Sequence, residues 1–274
     1  MKFSVVIPTY NSPRELEFIL CSLGRQTRLP DEVLIADDGS GEETKALIQS
    51  WVEKLPFPIR HCWHADRGFR KSRIVNEAVR QSTGDFLLFI DGDTFPHRRW
   101  IEDYVRAAPN NTVLCGRRVK LGPKISETIS FQKIEAGAFD SLNSALLFSS
   151  IMGDTKRLSL GIRLPSFLCR VLHPRSRKLM GVNFGLSREA FFAVNGYDEE
   201  WKVYGCEDRG LELCLRNSGY TLTPLLNRAV VFHVYHPERP RSAEAHRLIR
   251  AQEGSCKKRC VVGIERTTEF ATDE

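Results

Sequence analysis

Two aspartates separated by one glycine, Asp91 and Asp93, directly follow a run of five apolar residues, 86–90. A continuous apolar run of this length is typical of a buried strand. Ligands of open α/β sheets bind at the carboxyl ends of the strands, so a ligand is expected at these carboxylates. Neighbouring carboxylates need a cation or hydrogen-bond donors, and hard oxygen ligands suit Mg²⁺ or Mn²⁺. The alternative is a solvated Asp-Gly turn, and these three residues alone favour neither reading.

Polar or acidic side chains also follow three other predicted strands, at the point where each strand ends. They are Thr9-Tyr10-Asn11 after residues 3–7 and Pro8, Asp37-Asp38 after residues 32–36, and Asp66 after residues 59–64. Helical patterns separate these strands, which predicts a largely parallel sheet. The four acidic or polar ends would then meet at one sheet edge, where a binding crevice explains all of them.

The helices that position these residues have recognisable starts. Ser12, Pro13 and Glu15 predict an N-cap, a first helical residue and a capping box, respectively. Further helices are predicted over residues 43–53, 70–81, 100–107 and 207–217, with later strands over 113–116, 183–187 and 230–234. We divide the chain into a nucleotide-sugar-binding half (1–96), an acceptor-binding and catalytic half (97–240) and a charged tail (241–274), which together form one α/β domain.

Composition limits the class of protein. The 274 residues are 42% hydrophobic and 27% charged, which is typical of a globular chain. Neither a secretory signal nor an apolar run of roughly 18 residues is visible, and the eight cysteines form no Cys-x-x-Cys pair. We therefore expect a cytoplasmic protein with reduced thiols, peripheral to a membrane if it touches one.

The net charge of +6 has a local source, the segment 156–178, which holds seven Lys or Arg residues and no acid. Leucines and other apolar residues lie between these charges, as in segments that adsorb to anionic lipid. Alternatively, the segment is an acceptor-side loop that binds phosphates or acidic sugars. Gly161, Pro165 and Pro174 argue against one continuous helix, and no motif for reading nucleic acid accompanies the charge.

Five motifs together resemble the family 2 glycosyltransferases with the A-type fold, over roughly residues 1–240. They are Val-Val-Ile-Pro8-Thr-Tyr-Asn11, Asp37-Asp38-Gly-Ser40, Ile90-Asp-Gly-Asp93, Gly196-Tyr-Asp198-Glu-Glu and Tyr204-Gly-Cys-Glu207-Asp208. The last motif resembles an element of the galactosyltransferase and chondroitin-polymerase type of C-terminal half. The resemblance implies a Rossmann-like fold with a mostly parallel central sheet flanked by helices.

The resemblance also implies a nucleotide site. Its residues would be Pro8, Thr9, Tyr10, Asn11, Asp38, Asp66, Arg70, Arg73, Asp91 and Gly92. Tyr10 would offer a ring face to the base, and Asp38 would accept from uracil N–H. Many relatives have an arginine immediately before the asparagine of this helix, whereas Val75 precedes Asn76 here. Arg73 could take over the role of that arginine, and a solvated basic helix face is the alternative for Arg70, Lys71 and Arg73.

The resemblance further implies that Asp93 binds the metal directly and that Asp91 shares contacts with the metal and the ribose. The third metal ligand is a histidine of the late strand, which is His233 by register, with His236 as the nearby competitor. A buried, merely hydrogen-bonded histidine remains the alternative. Asp208 matches the catalytic base and Glu207 would orient the acceptor, although paired acids at a helix start also stabilise the helix dipole.

The sequence therefore predicts a Mn²⁺- or Mg²⁺-dependent, inverting hexosyl- or N-acetylhexosaminyltransferase. Its donor would be a UDP-sugar and its acceptor a glycan hydroxyl, lipid-linked or on a cell-surface polysaccharide or lipopolysaccharide. One alternative is a sugar nucleotidyltransferase, although residues 8–13 are not the Gly-rich, Lys/Arg-containing loop expected of one. The other is a non-catalytic nucleotide- or glycan-binding protein on a degenerate transferase fold.

Overall fold

The computed structural model describes residues 1–108, 112–175, 178–237, 240 and 242–265, and its strands form two sheets. The strands are β1 (Phe3–Thr9), β2 (Glu32–Asp37), β3 (Ile59–Trp63), β4 (Phe86–Phe89), β5 (Thr94–Pro96), β6 (Thr112–Cys115), β7 (Arg118–Lys120), β8 (Phe184–Ser187), β9 (Thr221–Pro224) and β10 (Val231–His233). The larger sheet has the order β3-β2-β1-β4-β8-β6-β9, and the smaller has the order β5-β10-β7.

The helices flank these sheets. They are α1 (Pro13–Gly24), α2 (Glu42–Val52), α3 (Lys71–Gln81), α4 (Trp100–Ala107), α5 (Pro123–Glu127), α6 (Phe131–Glu135), α7 (Ser144–Ile151), α8 (Ser166–Leu172), α9 (Arg188–Ala193), α10 (Glu207–Asn217) and α11 (Ala243–Glu253). Helix α1 packs against β5, and helix α3 packs against β1 and β2. The predicted helices of both halves are thus confirmed to within one or two residues.

The larger sheet is mostly parallel, as predicted. Strands β3, β2, β1 and β4 all run in one direction, so their carboxyl ends meet at one edge. Strand β8 comes from the second half of the chain and pairs antiparallel with both β4 and β6. The sequence does not reveal this insertion, because it depends on a pairing between distant segments. The predicted division at residue 96 stays a prediction.

The core lies on both faces of the larger sheet. Along β1, Val5 and Ile7 face one buried cluster and Val6 faces the other. The first cluster contains Leu16 of α1, and the second contains Ile74 of α3. Two buried faces explain why these strands are continuous apolar runs rather than alternating ones.

One predicted helix start is wrong in detail. Pro13 is the first residue of α1 as expected, but the Ser12 side chain makes no capping hydrogen bond. Its hydroxyl instead donates to the Tyr10 carbonyl oxygen at 3.0 Å. Without that bond no capping box forms, and the Glu15 carboxylate lies 3.6 Å from the Arg14 guanidinium. A local hydrogen bond to the preceding turn has replaced the cap.

The basic segment 156–178 is broken at the predicted places. A 3₁₀ turn covers Leu158–Gly161, and the short helix α8 begins after Pro165. Arg163 does not add to a free basic surface, because its guanidinium forms two hydrogen bonds with the buried carboxylate of Asp103. Arg177 and the end of the charged tail, 266–274, lie outside the described residues. Within the described ranges, no helix is long and apolar enough to cross a membrane.

Candidate active site

Asp93 lies beside two histidines at the edge between the sheets. Strand β10 pairs with β5 so that His233 is opposite Thr94, which brings the histidine to the end of β4. The Nε2 atoms of His233 and His236 lie 3.3 and 3.0 Å from Asp93 Oδ2. Burial raises the pKa of Asp93, but hydrogen bonds from both histidines outweigh it and lower that pKa below its usual range.

These three side chains form a candidate metal centre. Their ligand atoms all lie within 4.8 Å of one another. One carboxylate and two imidazoles fit a divalent transition metal such as Mn²⁺. From the sequence, His233 and His236 were competing candidates for one ligand position, whereas the fold brings both to Asp93.

Asp91 faces a different partner. Its Oδ1 atom accepts from Lys71 Nζ at 3.0 Å, and it is not among the three clustered ligands. The turn between the two aspartates needs glycine, because a Cβ atom at Gly92 would lie 2.5 Å from the Pro8 carbonyl oxygen. The backbone of β1 therefore passes close against the Asp91-Gly-Asp93 turn.

Lys71 connects the two halves of the site. Besides Asp91, its Nζ lies 3.5 Å from Glu207 Oε1 at the start of α10. Burial lowers the pKa of Lys71, but the carboxylates of Asp91, Asp208 and Glu207 raise it well above its usual value. From the sequence, Lys71 was predicted only as part of a basic helix face, because no local pattern shows a contact across 136 positions.

Asp208 is held by donors from two other segments. Its Oδ2 accepts from the Gly181 backbone N–H at 2.8 Å, and its Oδ1 accepts from the Tyr197 hydroxyl at 3.0 Å. A Cβ atom at Gly181 would lie 2.5 Å from each carboxylate oxygen. Neither Gly181 nor Tyr197 was predicted as a site residue, although Tyr197 lies within the Gly-Tyr-Asp motif that supports the resemblance.

Glu207 is buried and turned away from solvent, with 4% of its surface exposed. Its Oε2 accepts from the Gly205 backbone N–H at 2.9 Å, and its Oε1 faces Lys71. Burial raises the pKa of this carboxyl, and the Lys71 ammonium opposes that rise. Glu207 thus stabilises the turn before α10 and the lysine beside it.

A cavity of about 800 Å³ lies at the carboxyl ends of β1 and β4. This volume falls within the range of small-molecule sites. Of the predicted nucleotide-binding residues, seven line it: Pro8, Thr9, Tyr10, Asp38, Asp66, Asp91 and Gly92. The other three, Asn11, Arg70 and Arg73, do not line it. Asn11 instead accepts from the Gly41 N–H at 2.9 Å, which joins the ends of β1 and β2.

Hydrogen bonds fix the acidic strand ends that border this cavity. Asp38 accepts from His64 Nε2 at 2.7 Å and from the Arg70 N–H at 2.9 Å. The Tyr10 hydroxyl donates to Asp66 at 2.8 Å, while 44% of Tyr10 remains exposed. Asp37 is fully buried, and its Oδ1 accepts from the Ser40 N–H at 2.8 Å, so this side chain caps the turn that follows β2.

A second, larger cavity of about 980 Å³ adjoins the first. Both are lined by Lys71, Asp91, Asp93, Tyr204, Tyr235 and His236. Glu207, Asp208 and His233 line the larger cavity alone. The candidate metal ligands and the candidate base therefore border one continuous crevice, and the 800 Å³ cavity forms its other part.

Comparison with known families identifies the class of protein. The family model of glycosyl transferase family 2 matches residues 4–166, which is more than half of the chain, so the chain belongs to that family. A second model, described as the N-terminal domain of galactosyltransferase, matches residues 170–237. The two matches cover both halves of the crevice.

Individual relatives agree with this assignment. The chain is 28% identical to chondroitin synthase of Pasteurella multocida over 222 residues, which is 75% of this chain and 22% of the synthase. It thus spans about a fifth of that relative's length.

Solved structures confirm the A-type glycosyltransferase fold. TarS of Staphylococcus aureus (residues 1–349) in complex with UDP superposes with a TM-score of 0.60 at 19% identity, covering 92% of this chain and 65% of that one. A mannosyltransferase of Pyrobaculum calidifontis in complex with GDP-Man and Mn²⁺ gives 0.58 at 19% identity, with 91% and 61% covered.

Proposed function

We propose that this protein is a metal-dependent, inverting glycosyltransferase. It transfers a hexosyl or N-acetylhexosaminyl group from a nucleotide sugar, a UDP-sugar, to a hydroxyl group of a glycan. The observation that carries this proposal is the shared crevice, in which Asp208 and the Asp93–His233–His236 cluster line the same cavity. Family membership supports the reaction class, and the complex of a similar fold with UDP supports the donor.

In this proposal the nucleotide occupies the 800 Å³ cavity. The exposed ring of Tyr10 stacks on the base, and Asp38 and Asp66 border the base and ribose. Thr9 Oγ1 is buried and has no hydrogen-bond partner among the described residues. Since buried polar atoms are normally paired, this hydroxyl is available to a polar group of the nucleotide. Asp91 contacts the ribose, and the Lys71 ammonium compensates the negative charge of the Asp91 carboxylate.

Asp93, His233 and His236 would hold the metal ion. A cation at this position would supply positive charge near the departing nucleoside diphosphate and so stabilise the negative charge that develops there. Mg²⁺ prefers oxygen ligands, whereas two of these three ligands are imidazole nitrogens. The donor set therefore favours Mn²⁺ over Mg²⁺.

Asp208 acts as the general base for the attacking hydroxyl. The hydrogen bonds from Gly181 and Tyr197 fix its carboxylate at the cavity wall, and a positioned base needs such fixed geometry. Glu207 is buried and paired with the Lys71 ammonium, whereas Asp208 is partly exposed and has no cation within ion-pair distance among the described residues, so Asp208 is the carboxylate of this pair that can take the proton. A single in-line displacement assisted by one base inverts the anomeric centre.

The proposed acceptor is a lipid-linked or cell-surface glycan, such as a polysaccharide or lipopolysaccharide. Helix α8, within the basic segment 156–178, has no buried residue, and Phe167 and Val171 are 65% and 72% exposed. Apolar side chains beside Arg170 and Arg175 suit peripheral contact with an anionic membrane. In this proposal the enzyme is cytoplasmic and works at the inner face of that membrane.

Two substitutions test the proposed function. With Mn²⁺ and a panel of UDP- and GDP-sugars, Asp208→Asn should lower turnover by about 10²- to 10⁴-fold, the contribution of a general base. This variant should keep the rise in Tm that UDP with Mn²⁺ gives, whereas Asp93→Ala should lose it.

Asp85→Asn is a matched control, since Asp85 precedes β4 at the opposite end from Asp91 and its side chain is 65% exposed. Full turnover in both site variants would refute the proposal. Metal-dependent UDP binding by the wild-type protein without turnover on any acceptor would favour the non-catalytic alternative.

A further inference from the structure

One wall of the larger cavity is formed by basic side chains that the proposed reaction does not use. This basic wall consists of Arg118, Lys120, Lys156 and Arg157, all of which line the larger cavity and none of which lines the smaller one. The wall therefore belongs to the side of the crevice where Asp208 lies. The pocket assigned to the nucleotide is the neighbouring part of the same crevice.

Backbone pairing brings these side chains together. Arg118 and Lys120 are two positions apart on β7, so they project to the same face, while Val119 between them is buried. Lys156 is bridged to Lys120 by two backbone hydrogen bonds of 3.0 and 2.8 Å. Three positive charges thus lie side by side on two paired segments, and Arg157 follows directly.

Three of these four side chains have no carboxylate partner in the described part of the chain. Among the described residues, Arg118, Lys156 and Arg157 form no ion pair with any carboxylate, and Arg118 Nε is buried without a hydrogen-bond partner. Asp154, the acid next in sequence, accepts from the Ser149 hydroxyl at 2.9 Å and from the Ile125 N–H at 3.4 Å. Clustered like charges and an unpaired buried donor are costly unless a ligand compensates them.

We infer that the basic wall binds an oxyanion, a phosphate or a carboxylate, carried by the acceptor glycan. This inference rests on the proposed function and names the chemical class of its acceptor. The guanidinium of Arg118 offers the planar fork of donors that matches either anion. An acceptor held there by its charged group would present a neighbouring hydroxyl towards Asp208 in the same cavity.

Direct binding provides the first test, without donor or metal. The probes are an oligosaccharide that contains glucuronate, a poly(ribitol phosphate) oligomer and a neutral oligosaccharide of matched length, titrated calorimetrically at low salt. The wild-type protein should bind at least one anionic probe about tenfold or more tighter than the neutral one, and added salt should reduce the difference. Which anionic probe binds tighter distinguishes carboxylate from phosphate.

The variant Arg118→Gln/Lys156→Gln should lose this preference. Lys124→Gln is the matched control. Lys124 is exposed and adjacent in sequence to residues that line the cavity, but it does not line the cavity itself. Equal affinity of the wild-type protein for charged and neutral probes would overturn the inference. An equal loss in Lys124→Gln would also overturn it, since binding would then follow net charge alone.

Kinetics separate this inference from the proposed function. Hydrolysis of UDP-sugars by the wild-type protein tests the proposed function. It needs no charged acceptor, because water takes the place of the acceptor hydroxyl. With an anionic acceptor, Arg118→Gln/Lys156→Gln should raise the acceptor KM by about tenfold or more. An equal rise in the donor KM would assign the wall to the donor diphosphate and overturn the inference.

Discussion

Replacing Lys71 with methionine should destabilise the protein strongly, because the lysine compensates two carboxylates in the crevice. Its ammonium lies 3.0 Å from Asp91 Oδ1 and 3.5 Å from Glu207 Oε1, and the Lys71 side chain is 16% exposed. Methionine keeps most of the side-chain volume and removes the charge. Removing one partner of a buried ion pair typically costs about 3 to 5 kcal/mol, and we expect a loss in this range at pH 7.

The loss should depend on pH through Glu207. Burial raises the pKa of Glu207 and Lys71 opposes that rise, so the pKa should increase further in Lys71→Met. A carboxyl whose folded pKa lies above its unfolded value of about 4.3 binds more protons in the folded state. The stability of the variant therefore falls relative to the wild type as the pH rises above that value. The difference in unfolding free energy between the two proteins should therefore be larger at pH 8 than at pH 5.

Urea unfolding of both proteins at pH 5, 7 and 8, with EDTA present, measures these free energies. Lys45→Met is the control, because Lys45 and its partner Glu42 are 62% and 89% exposed. Such exposed pairs contribute about 0 to 1 kcal/mol, so this variant should stay close to the wild type at every pH. A loss in Lys71→Met below about 1 kcal/mol, or one that is equal at pH 5 and 8, would refute the reasoning.

Two further predictions concern the base and the membrane. Gly181→Ala should lower kcat by about 10- to 100-fold while UDP binding persists, because the added methyl group displaces the Asp208 carboxylate. Gly254→Ala, where a Cβ atom meets nothing closer than 3.9 Å, is its control, and unchanged kcat in Gly181→Ala would contradict the assigned geometry. Phe167→Glu/Val171→Glu should weaken co-sedimentation with phosphatidylserine vesicles by about tenfold or more, and undiminished binding would remove α8 from the proposed contact.

The strand ends were predictable because their signals are local. An apolar run that stops at a carboxylate predicts both a buried strand and a polar residue at its carboxyl end. Parallel pairing then brings the carboxyl ends of neighbouring strands to one edge of the sheet. Asp38, Asp66 and Asp91 accordingly line the predicted crevice. The predicted cap at Ser12 was wrong, since the same hydroxyl could satisfy either the helix or the preceding turn.

The contacts that complete the site were not predictable in this way. Lys71 meets Glu207 across 136 positions, and the Gly181 N–H reaches Asp208 from a loop before the antiparallel strand β8. His236 joins His233 at Asp93 only because β10 pairs with β5. No periodicity or spacing in the sequence indicates that the two residues of any of these pairs contact each other.

The sequence by itself determined the residue types available for chemistry, the alternation of strands and helices, and the sheet edge at which acids collect. These properties follow from local hydrophobic patterns and from the direction of parallel strands. Tertiary structure alone decided which groups compensate those acids: lysine for Asp91, two histidines for Asp93, and a backbone N–H with a tyrosine hydroxyl for Asp208. The physical reason is that a charge is stabilised by whichever groups surround it in space, and folding brings those groups from distant parts of the chain.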